Sequence, residues 1–288
     1  MKDSLSRFLF EGAPVRGELV TLDQTWREVL ARHDYPPVLR SLLGELMASA
    51  ALLSATLKFN GALIMQLRGT GALRLMVVEC NADLTMRATA KWEGEVRPMP
   101  LSELLGNGKF VITLDQQNGQ APYQGIVALE GESIAQMLEN YMQRSEQLDT
   151  RFWLAADDKR ATGLLLQKLP AGQGDPDAWD RAKYLAGTIT QGELLDLPPR
   201  EVIHRLFHEE TLRLFDDHPI AFRCSCSRER VGNMLRMVGE AEVRSLIEEQ
   251  GSIEIHCEFC NTRYDFDPVD VEQVFAAPIS QPASNTRH

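Results

Sequence analysis

The sequence predicts an α+β fold. Its parts are an N-terminal, mostly antiparallel sheet with covering helices, a helical linker, and a small C-terminal domain built around cysteines. Three observations predict it. Strand-like runs follow one another through the first 170 residues with helices inserted among them, which describes an α+β chain. After Pro170 the composition shifts to turn formers and then to helical segments. Four of the five cysteines fall in two clusters near the C-terminus, CSC at 224–226 and CEFC at 257–260.

The elements of residues 1–170 read in order as follows. VRGELVTL (15–22) is a strand, and a helix runs from Gln24 to His33. Pro36 and Pro37 open a second helix, VLRSLLGELMASAALLSATL, whose apolar residues surround nearly its whole circumference, so it belongs in a core. Strand-like runs with turn signals between them cover 62–69, 72–80, 84–92, 109–115 and 124–130. A helix at 133–147 interrupts, with Glu132 and Ser133 near its start. RFWLAA (151–156) and GLLLQKLP (163–170) complete the set. GTG (69–71) and GNG (106–108) complete neither G-x-G-x-x-G nor a P-loop and read as turns.

Residues 171–223 read as a linker. AGQGDPDAWD is rich in turn formers, and PPREVIHRLFHEE (198–210) is a helix with two prolines suited to its first turn. Val202, Ile203, Leu206 and Phe207 form a narrow apolar stripe. That is too little surface for a separate core, so the segment must lean on another element.

Residues 224–275 follow their own pattern. RERVGNMLRMV (228–238) has helical apolar spacing, and EVRSLIEEQ (242–250) is a second helix stopped by Gly251. Ile253 and Ile255 alternate on one strand, Tyr264 and Phe266 on another, so HCEFCN lies in a hairpin turn. Asp267 can cap a last helix with Pro268 at its first position. The tail 276–288 reads as disordered.

Bulk properties narrow the function. The 288 residues suit roughly two domains of ~150. A net charge of −11 opposes coating nucleic acid or an anionic membrane, both of which need a basic field. MKDSLSRFLFEG has no apolar signal-peptide region. The charge-free apolar run between Glu45 and Lys58 falls short of the ~20 residues that span a bilayer. A cytoplasmic protein is expected. No Ser-His-Asp order or paired carboxylates stand out, so no enzyme is expected.

In a reducing compartment, clustered cysteines bind metal or do redox chemistry more often than they form static disulfides. Zinc takes four tetrahedral ligands, and Cys₄ is a common structural set. C-x-x-C in a hairpin turn aims two sulfurs at one point. C-x-C puts two side chains on one face of an extended segment. Cys224, Cys226, Cys257 and Cys260 can therefore close one zinc site across a loop of thirty residues. Each pair is also close enough in sequence for a local disulfide, and Arg223, Arg228 and Arg230 nearby favour thiolates. A structural zinc contributes ~10–16 kcal/mol in small modules, which so small a domain cannot lose and stay folded. The spacing permits a redox switch. Other candidates are weaker: Cys80 reads as a buried small hydrophobe, His256 as a substitute ligand that four cysteines make unnecessary, and His204 with His208 as a metal-spaced pair without a third ligand.

These motifs resemble the heat-shock protein thirty-three family of bacterial redox-regulated holdase chaperones. The resemblance rests on VRGELV (15–20), LLSATLKFNG (52–61), YQGIV (123–127), RSEQLDTRFWL (144–154), FHEE (207–210), CSCSRER (224–230) and HCEFCN (256–261). It implies one zinc per chain on Cys224, Cys226, Cys257 and Cys260 in the reduced, inactive form. On oxidation it implies disulfides Cys224–Cys226 and Cys257–Cys260, zinc release, and unfolding of the switch domain and a metastable linker. The result is an ATP-independent holdase, commonly a homodimer, that binds unfolding client proteins. Two other readings compete: a nucleic-acid binder with a zinc module, and a thiol–disulfide oxidoreductase. The charge opposes the first, and the lack of a βαβ context around C-x-x-C opposes the second.

Overall fold

A computed structural model describes residues 2–57, 59–116, 121–170 and 174–276. The chain divides into two compact units, residues 1–223 and 224–288.

The first unit opens with β1 (Ser4–Phe10), β2 (Val15–Leu22), α1 (Gln24–Leu30) and α2 (Pro37–Thr56). Then come β3 (Ala62–Arg68), β4 (Leu73–Asn81), β5 (Thr85–Trp92), the short α3 (Leu101–Leu105), β6 (Lys109–Asp115) and β7 (Tyr123–Val127). Next are α4 (Ile134–Arg144), β8 (Thr150–Ala156) and β9 (Ala161–Lys168), then α5 (Ala178–Ala186), α6 (Gln191–Asp196) and α7 (Pro199–Phe207). Three short strands end the unit: β10 (Leu212–Leu214), β11 (His218–Pro219) and β12 (Ala221–Phe222).

Two six-stranded sheets result. One has the order β10-β1-β2-β9-β8, with β11 also on β1; the other has the order β12-β5-β4-β3-β6-β7. The pairings are antiparallel except β12 with β5. Helix α2 packs against strands of both sheets, which explains why it is apolar all round. By length and composition alone it could cross a membrane, but 67% of its most apolar window is buried in the fold. The approach is close: a Cβ on Gly163 of β9 would come within 2.9 Å of Leu52 on α2.

Strand β1 is absent from the sequence reading. Its residues serve two cores, Leu5 on the α2 side and Phe8 and Phe10 on the other, so the segment shows no clean polar alternation. Asp3, just before it, accepts the backbone N–H groups of Asp23 (2.6 Å) and Gln24 (2.9 Å) and so caps α1 from a distance in sequence.

Helices α5 to α7 lay Trp179, Ala182, Leu194, Val202, Ile203, Leu206 and Phe207 on the outer face of the first sheet. There they meet Phe8, Phe10, Val15, Leu19, Leu164 and Leu166 in a second core. The stripe that needs a partner thus finds one. Polar ties join the helices to the rest of the unit: Arg160 donates to the Leu195 carbonyl at 3.0 Å and pairs with Asp196, and the Asp175 N–H donates to the Gly12 carbonyl at 3.2 Å, while Arg181 links Asp175 and Glu210 within the segment itself. Strands β10 to β12 were not foreseen, because runs of two or three paired residues carry no period.

The second unit holds α8 (Arg228–Val238), α9 (Glu240–Gln250), the hairpin β13 (Ile253–His256) and β14 (Arg263–Phe266), and α10 (Pro268–Ala276). Its core is small: Val231, Leu235, Val243, Ile247, Ile253, Phe266 and Val271. Asp267 caps α10 by accepting the Asp270 N–H at 2.8 Å, with Pro268 first in the helix. Gly251 ends α9 in the left-handed conformation, φ 77°. The tail expected at 276–288 lies outside the described residues from 277 onward.

Candidate metal centre

The hairpin brings the second cysteine pair together. Its strands pair in register to His256 and Arg263. The Cys257 N–H then donates to the Thr262 carbonyl at 2.9 Å, and the Asn261 N–H to the Cys257 carbonyl at 2.8 Å. Asn261 takes φ 57°, a left-handed conformation that asparagine tolerates. The first pair comes from the segment without regular structure just before α8, a helix that Ser227 starts by accepting the Arg230 N–H at 3.2 Å.

All four sulfurs lie within 4.8 Å of one another. Cys224 and Cys257 are 3.7 Å apart, Cys226 and Cys260 3.3 Å. None is bonded to another, since all five cysteines of the chain are free thiols. Metal–sulfur bonds of about 2.3 Å in a tetrahedron place the sulfurs about 3.8 Å apart. The donor set therefore fits a thiophilic, tetrahedral ion. Among the described residues these four form the only group of three or more His, Cys, Asp or Glu able to hold a metal.

Two hydroxyls support the sulfurs. Tyr264 donates to Cys226 Sγ at 3.1 Å, and Thr262 Oγ1 lies 3.1 Å from Cys260 Sγ. Such contacts orient metal ligands and tune their basicity. Burial opposes ionisation of Cys260, but the hydrogen bonds from Thr262 and Cys226 outweigh it and hold its thiol down at about 6. Burial pushes Cys257 up to about 12.

A family model described as Hsp33 protein matches residues 3–267. The chain belongs to the Hsp33 protein family. It is 56% identical to the 33 kDa chaperonin of Methylobacillus flagellatus, covering 100% of this chain and 99% of that one. It is 54% identical to the 33 kDa chaperonin of Chromobacterium violaceum, over 99% and 98%. The crystal structure of the 33 kDa chaperonin (heat shock protein 33 homolog) of Thermotoga maritima shares the fold, with a TM-score of 0.80 at 22% identity, over 95% of this chain and 98% of that one.

In this Hsp33 family member the remaining candidates lie apart from the sulfurs. His256 engages Glu254 (2.7 Å) through one ring nitrogen and Asn261 (3.1 Å) through the other, and is not among the clustered donors. His204 and His208 stack on each other with ring centroids 6.0 Å apart. Cys80 is fully buried on β4, and burial pushes its thiol up to about 12, as suits an inert core residue. The nearby arginines are engaged elsewhere: Arg223 with Asp83, Arg228 with Asp270 and over the Phe266 ring, Arg230 with Ser225. Thr262 and Tyr264 were not singled out as sulfur partners. In the sequence Tyr264 reads only as one step of a strand alternation.

Proposed function

We propose that this chain is a redox-regulated, ATP-independent holdase chaperone, inactive while its four cysteines hold one zinc ion. The observation that carries the reading is the gathering of Cys224, Cys226, Cys257 and Cys260 within 4.8 Å, in a unit whose own apolar core has seven buried residues. Zinc is the ion of choice for four thiolates in a structural site, and a unit this small depends on it. Membership of a family whose curated relatives are named chaperonins supports the chaperone assignment.

The switch runs as follows. An oxidant such as hypochlorous acid or a peroxide takes two electrons from each thiolate pair. Each pair closes one disulfide, Cys224–Cys226 and Cys257–Cys260, and the oxidant leaves as chloride and water, or as water or alcohol. Disulfide sulfurs no longer hold the zinc, so it departs. The switch domain, residues 224–275, then unfolds. The linker, residues 171–223, loses its restraint at Cys224 and leaves the N-terminal core domain, residues 1–170. Apolar surface opens on both, and such surface binds unfolding proteins. The oxidised form works as a homodimer in the cytoplasm. It has no catalytic turnover and binds neither nucleic acid nor membrane.

The test is the aggregation of a heat-sensitive enzyme, followed by light scattering with reduced, zinc-loaded protein and with oxidised protein. Suppression by the oxidised form alone supports the reading. Equal behaviour of the two forms overturns it.

A further inference from the structure

The first sheet owes one outer edge to the linker. The Phe215 N–H donates to the Arg7 carbonyl at 3.0 Å, the Glu11 N–H to the Thr211 carbonyl at 2.8 Å, and the Ile220 N–H to the Asp3 carbonyl at 3.4 Å. These bonds seat β10 and β11 antiparallel on β1, with Phe8 opposite Leu214, Phe10 opposite Leu212 and Leu5 opposite His218. Without them β1 would present a row of unpaired donors and acceptors beside Phe8 and Phe10, which is the setting in which another chain pairs.

We propose that β1, once residues 212–219 have left it, captures an extended segment of an unfolding protein as a new antiparallel edge strand. This rests on the linker release described above and adds the way in which the client is held.

Three observations favour that occupant. The present one is a poor fit: β1 has seven residues, but the linker pairs with three at one end and two at the other. Phe215 still donates to Arg7, but three residues, Phe215, Asp216 and Asp217, stand against only two of β1, Ser6 and Arg7, so the ladder is irregular there and a continuous strand can pair along more of β1 than the linker does. The seat also asks little of sequence. Leu214 and Phe215 are 46% and 39% exposed, so main-chain bonds carry much of the contact, as a binder of many clients requires. At the positions of Leu212 and Leu214, an apolar client residue would lie beside Phe10 and Phe8 once α7 has gone. Finally, a second copy is disfavoured: β1 pairing with itself about its midpoint sets Arg7 against Arg7, and like charges directly opposite repel.

The register fixes the test. N–H groups of residues 213 and 215 point at β1, whereas those of 212 and 214 point away. The probe is a fluorescent peptide of residues 209–220, made plain, N-methylated at 212 and 214, or N-methylated at 213 and 215. Each is titrated onto full-length protein, reduced and oxidised, and each is tried as a competitor in the aggregation assay. The plain and 212/214 peptides are expected to bind oxidised protein and displace client. The 213/215 peptide should bind roughly tenfold more weakly or worse, and reduced protein should bind none. Oxidised protein that suppresses aggregation yet binds the two methylated peptides alike, or excludes all peptides because a second copy covers β1, overturns the proposal. Oxidised protein that does not suppress aggregation overturns the chaperone reading beneath it instead.

Discussion

Phe207 of α7 meets Phe10 of β1 edge-on, with ring centroids 5.2 Å apart and planes at 76°. Phe8 completes the cluster 5.7 Å from Phe207, and all three rings are buried. Here a linker helix and the sheet share a buried aromatic cluster, so docking can be weakened at this point. Replacing Leu206 and Phe207 with serine removes two buried apolar side chains, each costing roughly 2–5 kcal/mol. The reduced, metal-bound variant is expected to suppress client aggregation without oxidant. Hydrogen exchange across 174–223 should quicken while 224–276 stays protected. Faster exchange in a folded but inactive variant would separate linker release from activation.

Metal content tests the sulfur cluster. Cys80→Ser alters a buried core position remote in sequence from the cluster and should retain one zinc per chain by elemental analysis. Cys260→Ser removes one of four donors and should lose most of it. Zinc loss in the Cys80 variant would overturn the ligand assignment.

Disulfide pairing reports when oxidation happens. In the closed site the short sulfur contacts run between the motifs, Cys224 with Cys257 and Cys226 with Cys260. Once the site opens, closing a short loop loses less entropy than closing one of thirty residues. Peptide mapping of the oxidised protein should find Cys224–Cys226 and Cys257–Cys260. Mainly Cys224–Cys257 and Cys226–Cys260 would mean that bonds form within the intact site, and would refute the neighbouring-pair scheme.

Glu18 sets a pH dependence of the first unit. It is 2% exposed, with one carboxylate oxygen lacking a hydrogen-bond partner, and burial raises its pKa to about 7 despite the charges of Arg16 and Arg7. A raised carboxylate pKa means the folded state prefers the proton. Its stabilising effect is full below the unfolded value of 4.5 and fades as pH rises through 7. The loss is on the order of 3 kcal/mol. Glu18→Gln should remove that slope, so its stability relative to the parent should grow between pH 4.5 and 7 in denaturant titrations of reduced protein. A constant difference across that range would show that Glu18 does not titrate there.

Much of this architecture is legible in the sequence, because most elements carry a period or a punctuation mark. VRGELVTL and RERVGNMLRMV give β2 and α8 with the bounds read from their patterns. The cysteine spacing gives the cluster because two short motifs, one of them in a hairpin turn, each hold their sulfurs close together. What stays hidden depends on partners distant in sequence. Strand β1 faces two cores and shows no alternation, while β10 to β12 exist only because β1 and β5 offer edges. The hydroxyls of Thr262 and Tyr264 matter through the hairpin register, which no composition reveals.

The pairing of β1 with β10 and β11 joins the first residues of the unit to nearly its last. A ribosome makes the chain from the N-terminus, so sheet partners β2 and β9 exist about 50 residues before β11 does. At 5–20 residues per second that gap lasts roughly 3–10 s. For that interval each newborn molecule carries β1 with an open edge, and Phe8 and Phe10 stay uncovered for most of it, until Phe207 is made. Synthesis thus passes once through the exposed arrangement that oxidation is proposed to restore. Dense polysomes, where nascent copies crowd together, are where a chain of this design is most exposed to mispairing with its neighbours.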